Sequence, residues 1–383
     1  MKVKLGDVCI IQSGGTPSRS NLDYWKNGTI SWVKISDIKD KYLNFTEEYI
    51  TYEGLKNSSA KIFSKGTILY TIFATLGEVS ILNIEAATNQ AIAGIKLVDE
   101  NVYNDFLYYY LVSKKEEVNN RGRGVAQNNI NLSMLKNIEI EMPNIEKQRK
   151  IANVLDKVNK IINKRQQQLK KLDELVKSRF IEMFGTFPEN SKNWTICTIK
   201  EIVSDVRYGT SRAAVDGGKY PYLRMNNITY DGELDLTDLK YIDIPDKELE
   251  KCTVKCGDVL FNRTNSKELV GKTCVYNRND TMVLAGFIIR IRVNENILPV
   301  FLAMFLNMDF SKTMLKEMCK SAIGQANINA TELQKIRIIL PPIELQEEFV
   351  EFKNQTDKSK LEIQKSLDKL EILKKSLMQQ YFG

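Results

Sequence analysis

The chain contains no histidine, and this absence excludes most of the common hydrolytic active sites. A Ser-His-Asp or Cys-His catalytic site needs an imidazole, and so does a His-ligated zinc or iron site. Cys252 and Cys256 form the only closely spaced pair among six scattered cysteines, and no second pair completes a zinc site. We therefore expect reduced, structural thiols and no metal in this chain.

Two short motifs approach catalytic signatures, and each lacks a required residue. Residues 271–273 read Gly-Lys-Thr, like the end of a phosphate-binding loop, but Ser266 stands where the earlier glycine is needed. Residues 340–343 read Leu-Pro-Pro-Ile and lack both the amide and the aromatic residue of the methyltransferase Asn/Asp-Pro-Pro-aromatic tetrapeptide. The sequence therefore predicts a protein that has no catalysis of its own and needs partners for chemistry.

Composition and charge are those of a globular chain of two or three domains. Of the 383 residues 43% are apolar and 27% are charged, with a formal net charge of +7. This charge permits a polyanionic partner without requiring one. The start of the chain has no apolar signal segment, and no apolar run approaches the roughly 18 residues of a membrane span. We expect a cytoplasmic protein with no membrane contact.

The sequence contains an internal repeat at an offset of 198 residues. Residues 127–148 and 325–346 are identical at 11 of 22 positions, which include an Asn-Ile-Asn run and a Pro-x-Ile-Glu-x-Gln run. The same offset relates Phe184-Gly185 to Phe382-Gly383. Weaker similarities lie upstream, where the offset drifts. The repeat predicts two half-molecules of one architecture.

Each half begins with short β-rich runs separated by Gly, Asn and Ser turns, and it ends in a segment without Gly or Pro that reads as one long helix. The predicted helices run from Ile145 to Phe184 and from Ile343 to Tyr381, and about 40 residues at 1.5 Å each give a helix of roughly 60 Å. The expected fold class is α+β, with globular parts at 1–143 and 186–341 and helices at 144–185 and 342–383.

Apolar residues recur with heptad spacing on both helices, which predicts that they pair as an antiparallel coiled coil with the domains at opposite ends. The residues expected in this pairing are Ile151, Leu155, Val158, Ile162, Leu169, Leu172, Val176, Phe349, Ile363, Leu367, Leu370 and Leu377. Residues 144–185 carry a net charge of +6 and residues 342–383 a net charge of −1, which favours the pairing. Only +2 remains for the globular parts, so nucleic-acid binding there would need local clusters of cations.

Motifs at both ends of the first half resemble those of a known family. Residues 14–20 read GGTPSRS and residues 24–33 read YWKNGTISWV, which is similar to the opening signature of type I restriction-modification specificity subunits. The Ala126-Gln127 to Asn131 segment and the Pro-x-Ile-Glu-x-Gln run resemble its closing signature. The resemblance covers essentially the whole chain. The second half departs from it, because residues 208–212 read YGTSR in place of the GGTPSR stretch and the Tyr-Trp pair is missing.

The resemblance implies a DNA-binding adaptor built from two target-recognition domains and two helices. Each domain would read one half of a bipartite, asymmetric double-stranded DNA site, and the helices would fix the gap between the halves. Two methyltransferase subunits would bring S-adenosylmethionine and flip an adenine out of the stack in each half-site. A restriction and translocation subunit would use ATP and Mg²⁺. A helix pair of about 60 Å is compatible with major grooves roughly 34 Å apart.

Given this resemblance, the DNA contacts are expected on loops rich in Arg, Lys, Asn, Ser, Thr and Tyr, whose side chains reach base edges or phosphates. An ordinary solvent-exposed turn is the alternative reading of each loop. In the first domain the candidates are Thr16, Ser18, Arg19, Lys34, Ser36, Arg121 and Arg123. In the second domain they are Arg207, Tyr208, Thr210, Ser211, Arg212, Arg224, Asn226, Asn227, Asn262, Arg263, Asn265 and Lys267.

Polar residues that occur in both halves have a different expected role. Gln127, Asn129, Gln325 and Asn327 are shared by two domains that would read different sequences, so they are expected to shape a turn or hold the DNA backbone. Two other functions stay open. One is a coiled-coil scaffold with no DNA role, which the low charge of the globular parts favours. The other is a specificity subunit of a system that only methylates.

Overall fold

The structure is a computed structural model that describes residues 2–122, 129–322 and 325–383. It divides into two compact units. Unit 1 comprises Met1–Gln166 and Lys365–Gly383, and unit 2 comprises Gln167–Gln364. Both long helices therefore contribute to both units. The mixed α and β architecture and the two long helices predicted from the sequence are confirmed.

In unit 1 the chain folds into short strands and helices followed by a 40-residue helix. The strands are β1 (Lys2–Lys4), β2 (Cys9–Ser13), β3 (Ile30–Val33), β4 (Tyr42–Leu43), β5 (Glu48–Ile50), β6 (Ile62–Phe63), β7 (Ile68–Thr71), β8 (Val79–Leu82), β9 (Ala86–Thr88), β10 (Ile92–Leu97) and β11 (Glu139–Glu141). The helices are α1 (Leu5–Val8), α2 (Tyr52–Lys56), α3 (Asn104–Ser113), α4 (Lys115–Gly122), α5 (Leu132–Lys136) and α6 (Ile145–Phe184).

Unit 2 repeats this plan. Its strands are β12 (Thr195–Thr198), β13 (Val203–Tyr208), β14 (Tyr220–Leu223), β15 (Lys240–Ile242), β16 (Val259–Asn262), β17 (Thr264–Asn265), β18 (Thr273–Val275), β19 (Val283–Leu284), β20 (Ile288–Val293), β21 (Lys320–Ala322), β22 (Gln325–Asn327) and β23 (Arg337–Leu340). Its helices are α7 (Asp246–Cys252), α8 (Pro299–Asn307), α9 (Asp309–Met318), α10 (Ala330–Gln334) and α11 (Ile343–Phe382).

The two main sheets of unit 1 have counterparts in unit 2 with the same order of their shared strands. In unit 1 one sheet has the order β2-β10-β7-β8-β4 and a second the order β5-β3-β9-β6. In unit 2 the corresponding orders are β13-β20-β16-β18 and β15-β14-β19. In each unit the strand just before the long helix pairs with the first strand, β11 with β1 and β23 with β12, so the helix begins beside the start of its own domain.

The two long helices run antiparallel, as predicted. In unit 2, Asp173 of α6 pairs with Lys360 of α11 (Oδ1 to Nζ, 2.6 Å), and further along α6 Arg179 pairs with Glu348 (Nη2 to Oε1, 2.8 Å), so the partner number falls as the α6 number rises. The buried members of the predicted pairing set are Ile151, Leu155, Val158, Ile162, Val176, Phe349 and Leu367. The half-buried members are Leu169, Leu172, Ile363, Leu370 and Leu377.

In each unit, aromatic residues near an end of α6 or α11 pack into the apolar core. In unit 2 the rings of Phe180, Phe184, Phe301 and Phe349 pack together, with centroids 5.0 to 5.7 Å apart. In unit 1 the ring of Phe382 packs on Phe106 and Tyr110 at 5.3 and 6.0 Å. Helices α6 and α11 are therefore part of the cores that hold the globular domains.

Candidate nucleic-acid interface

The loop after β2 in unit 1 begins at two glycines that approach the neighbouring backbone closely. The N–H of Gly14 donates to the carbonyl of Ile92 (3.1 Å), and that of Gly15 donates to the carbonyl of Thr88 (2.8 Å). A Cβ on Gly14 would lie 2.0 Å from Oγ1 of Thr88, so a side chain there would push the strands apart. The glycines thus fix where the predicted contact loop, residues 16–20, leaves the sheet.

Arg19 lies in a cage of aromatic rings and a carboxylate. Its guanidinium carbon is 3.6 Å from the ring centroid of Trp25 and 4.8 Å from that of Trp32, and its Nη2 is 2.6 Å from Oε2 of Glu48. The indoles meet edge to face at 4.9 Å, and Nε1 of Trp25 donates to the carbonyl of Ser18. A guanidinium over an indole face is attracted to it even at an exposed site, so the rings and the carboxylate hold the Arg19 guanidinium in one place.

Lys34 shares the same carboxylates. It follows β3, and its Nζ lies 3.0 Å from Oε2 of Glu47 and 3.1 Å from Oε1 of Glu48. Partial burial of Glu48 opposes its ionisation, but the cations Arg19 and Lys34 outweigh this and hold the pKa of Glu48 below its usual value. Both predicted cations are therefore neutralised by acids in this structure.

The other first-domain candidates surround this cage. Thr16 is half-buried, and its hydroxyl donates to the side-chain carbonyl of Gln90. Ser18 and Ser36 are exposed, and the hydroxyl of Ser18 is 2.8 Å from that of Ser20. Arg123 lies outside the described residues, and the side chain of Arg121 is likewise not described.

The corresponding loop of unit 2 leaves the sheet in the same way. The N–H of Gly209 donates to Ile288 and that of Thr210 to Leu284, and a Cβ on Gly209 would lie 2.2 Å from the Leu284 carbonyl oxygen. Thr210 is buried and Ser211 is exposed. Glycine is required at the equivalent place in both units because the backbones approach too closely for a side chain.

Arg212 extends from this loop and forms a two-pronged ion pair. Its Nε and Nη2 lie 3.1 and 2.8 Å from the two carboxylate oxygens of Glu248 in α7. The hydrogen bonds from Arg212 lower the pKa of Glu248. Arg207, one strand position before Tyr208, pairs with Asp205 (Nε to Oδ1, 2.8 Å), which also holds the fully buried Arg290.

The turn after β14 copies the turn after β3. The N–H of Arg224 donates to the side chain of Asn227, as the N–H of Lys34 donates to Asp37 (both 2.8 Å). Arg224 then pairs with Asp238 through Nη2 (2.9 Å). Asn226 is exposed, whereas Asn227 is buried with its amide donating to the carbonyl of Asp235. Asn227 therefore shapes the turn in this structure.

Arg263 forms the second cation-aromatic stack. Its guanidinium carbon lies 4.8 Å from the ring centroid of Tyr208, and the Tyr208 hydroxyl accepts the N–H of Ala330 at 2.7 Å, which fixes the ring. Asn262 is buried, and its side-chain oxygen accepts from the amide of Asn265 (3.0 Å). Both asparagines thus support the loop, and Lys267 is exposed at its end.

A family model for the type I restriction modification DNA specificity domain matches residues 1–171 and again residues 191–373. The two matches take in most of the chain. The chain belongs to this family, with one copy of the domain in each half.

Relatives and solved structures of the family agree with this assignment. The type I restriction enzyme MjaIX specificity subunit of Methanocaldococcus jannaschii is 32% identical over 198 residues, which are 50% of this chain and 43% of that protein. The EcoKI specificity subunit of Escherichia coli K12 is 20% identical over 354 residues, 86% of this chain and 75% of that protein. The chain spans about half the length of the archaeal relative.

Two solved structures share the fold along the whole chain. The type I restriction-modification S subunit of M. genitalium superposes with a TM-score of 0.56 at 16% identity, covering 100% of this chain and 96% of that one. A chain from a structure on complex assembly and conformational transition of the type I R-M system gives a TM-score of 0.61 at 18% identity, covering 100% and 97%.

In this member of the family the acidic and aromatic partners of the predicted cations are not among the predicted site residues. Trp25 belongs to the opening motif, whereas Glu47, Glu48, Asp238 and Glu248 belong to no motif. The signal available was the acid-rich start of the strand that pairs with β3, since Trp32 lies opposite Glu48 in that register.

Neither a metal-binding cluster nor a membrane-spanning helix occurs in the part of the chain that the structure describes. Among residues 2–122, 129–322 and 325–383, no group of three or more Cys, Asp or Glu side chains is placed to hold a metal ion. No helix in these ranges is both long and apolar enough to cross a membrane.

Proposed function

We propose that this chain is the DNA sequence-specificity subunit of a type I restriction-modification complex, in which each unit reads one half of a bipartite, asymmetric site on double-stranded DNA. The observation that carries the proposal is the duplicated specificity domain, with an arginine stacked on an aromatic ring beside polar loops in each copy. Such an arginine suits the acceptor edge of guanine in the major groove.

The ion pairs of the free chain support this role. Arg19, Lys34, Arg212 and Arg224 each face a carboxylate, so their charges are balanced in the absence of DNA. A phosphate can replace an exposed carboxylate at little cost, because surface ion pairs contribute little to stability. The carboxylates would then hold each cation in position and weaken binding to DNA of any sequence.

The differences between the units support two different half-sites. Unit 1 has its stack on the loop after β2, between Arg19 and Trp25, whereas unit 2 has it between the ends of β13 and β16. Side chains that reach bases from different points of one framework would meet different base pairs. Two identical recognition surfaces would instead favour a symmetric site.

In this proposal the chain carries no catalysis, and its partners supply the chemistry in the cytoplasm. Two methyltransferase subunits with S-adenosylmethionine would each modify a flipped adenine in one half-site. A restriction and translocation subunit would use ATP and Mg²⁺. Relatives named as specificity subunits of type I restriction enzymes support this division of roles.

The direct test is a map of modified bases across the host genome with the gene intact, deleted and restored. We expect a split adenine-methylation motif that disappears on deletion and returns on restoration. An unchanged methylation map, in cells where the chain and its methyltransferase subunits are made, would contradict the proposal and favour a scaffold without a DNA role. Methylation without cleavage of unmodified DNA would identify a methylation-only system.

A further inference from the structure

Phe287 is a large apolar side chain exposed in the middle of the candidate interface of unit 2. It is 51% exposed and lies immediately before β20, whose first residue, Ile288, is fully buried. A single exposed phenylalanine is common on protein surfaces and needs no explanation by itself. Phe287, however, lies beside two residues of the candidate interface.

Phe287 lies in the same small cluster as the Arg263–Tyr208 stack. The N–H of Arg263 donates to the carbonyl of Phe287 (3.0 Å), and Nη1 of Arg263 reaches the carbonyl of Gly286 (3.5 Å). Tyr208 pairs with Ile289, two residues beyond Phe287. The loop therefore presents a guanidinium, a phenol ring and an exposed phenyl ring together.

Arg263 differs in its charge balance from the other candidate arginines whose side chains the structure describes. Arg19, Arg207, Arg212 and Arg224 pair with carboxylates. Within residues 2–122, 129–322 and 325–383, Arg263 forms no such pair, and the hydrogen bond from its Nη1 to the carbonyl of Gly286 is long, at 3.5 Å. An arginine with unused donors is suited to the paired acceptors N7 and O6 of guanine.

The same framework in unit 1 is built without this cluster. The N–H groups of Gly14 and Gly209 donate to Ile92 and Ile288, so Phe287 corresponds to Ala91. The registers of β2 with β10 and β13 with β20 match Tyr208 to Ser13. The registers of β7 and β16 match Arg263 to the buried Ile72.

The comparison with unit 1 shows which residues of this cluster the fold itself requires. Unit 1 forms the equivalent sheet with a serine, an isoleucine and an alanine, so the fold does not require the three larger side chains. The three side chains therefore have a role that is specific to unit 2. Under the proposed function, the units differ in the half-site that each one reads.

We propose that Phe287 is a specificity-determining residue that contacts the 5-methyl group of a thymine in the half-site read by unit 2, next to the guanine that Arg263 contacts. This inference rests on the proposed function. An exposed phenyl ring fits the thymine methyl group, which projects into the major groove and is the apolar mark of an A·T pair. The fixed stack beside it places both contacts in one groove.

The test uses deoxyuridine, which lacks the 5-methyl group and pairs as thymine does. The full chain, assembled with its methyltransferase subunits, is titrated with duplexes in which each thymine of the half-site is replaced in turn. For the wild-type chain we expect one replacement to weaken binding about four-fold, the value for one buried methyl group. Phe287→Ala should weaken binding to the thymine duplex by a similar factor and remove its preference over the uracil duplex.

Two variants control this measurement. Phe287→Leu keeps an apolar side chain and should retain part of the preference for thymine. Phe45→Ala removes an equally large ring, 75% exposed in unit 1, and should leave the preference in the unit 2 half-site unchanged. Melting curves of all variants should coincide with the wild type, since neither ring is part of a core.

The outcomes separate the two proposals. If the wild-type complex binds its site specifically but no replacement in this half-site matters, or Phe287→Ala keeps the preference, only the role of Phe287 is overturned. If the wild-type complex has no sequence preference at all, the proposed function falls together with this inference.

Discussion

Units 1 and 2 share a framework and differ in where it carries a stacked arginine. In unit 1 Arg19 lies 3.6 Å above Trp25 and faces Glu48. In unit 2 Arg263 lies over Tyr208 without a carboxylate partner among the described residues, while Arg212 at the equivalent loop pairs with Glu248. One fold thus carries a stacked arginine at two different positions, and under the proposed function this variation would change the DNA contact without changing the sheet.

The units also differ in the charged residue that comes just before β8 in unit 1 and just before β18 in unit 2. The registers of β7 with β8 and β16 with β18 match Glu78 of unit 1 to Lys272 of unit 2. Glu78 pairs with Lys115 (2.6 Å), whereas Lys272 lies near the buried Lys312, which donates to the carbonyl of Gly271 (2.6 Å). Unit 2 therefore buries two amines where unit 1 has an ion pair.

The largest expected effect compares the aromatic cores. Phe184 and Phe382 are equivalent in the repeat, but Phe184 is fully buried with three ring centroids 5.0 to 5.7 Å away, whereas Phe382 is 8% exposed with three ring centroids 5.3 to 6.4 Å away. Phe184→Ala should lower the free energy of unfolding of unit 2 by about 3–5 kcal/mol. Phe382→Ala should have the smaller effect on unit 1. Urea unfolding followed by circular dichroism measures both, and an equal or reversed order would contradict the packing difference.

The next prediction concerns the carboxylates that balance the cations. Glu48→Gln leaves Arg19 without its carboxylate while Lys34 keeps Glu47, and Glu248→Gln releases Arg212. Each variant should bind DNA of unrelated sequence several-fold more tightly. The salt dependence should steepen by about 0.9 in logarithmic slope for each new phosphate contact.

The matched control is Glu100→Gln, which removes an equal charge from an exposed carboxylate outside every ion pair described above. If this variant changes the salt dependence as much as Glu48→Gln does, the effect comes from net charge. In that case the balancing of Arg19 by Glu48 has no role in DNA binding.

A further expected difference between the units is a pH dependence that arises in unit 2. Burial, together with Lys272 and Lys177, lowers the pKa of Lys312 to about 7. An unfolded lysine titrates near 10.4, so between these values the unfolded state binds more protons and stability rises with pH. The unfolding free energy of the wild type should therefore increase between pH 7 and 10, by up to about 1.4 kcal/mol per pH unit, relative to Lys312→Met.

Lys316→Met on the same helix is the control, because Lys316 is exposed. It should keep the pH dependence of the wild type when urea unfolding is followed at pH 7, 8, 9 and 10. A wild type whose stability parallels that of Lys312→Met across this range would show that Lys312 stays charged in the folded protein.

The sequence predicted the large elements better than the side-chain partners. The helix from Ile145 to Phe184 was predicted with the bounds it has, since a 40-residue stretch without Gly or Pro has a strong helical period. The 198-residue repeat predicted the duplicated architecture. Local pattern determines both features.

The contacts at the candidate interface depend on residues that are distant in the chain. Arg19 meets Glu48, and Arg263 meets Tyr208, only because particular strands pair in a particular register. Burial of Asn227 and Asn262 likewise follows from turns whose geometry residue types alone do not fix. The base-contacting roles of Arg19, Arg263 and the other candidates stay predictions.

We expect the two units to read different half-sites, and a scan of every base pair of the site with two variants tests this expectation. Arg19→Ala and Arg263→Ala, each assembled with the methyltransferase subunits, are titrated against duplexes mutated at one position at a time. We predict that Arg19→Ala loses discrimination in one half-site and Arg263→Ala in the other, by about 1–3 kcal/mol at the affected base pair. Loss in the same half-site for both variants, or equal loss across both half-sites, would contradict the account.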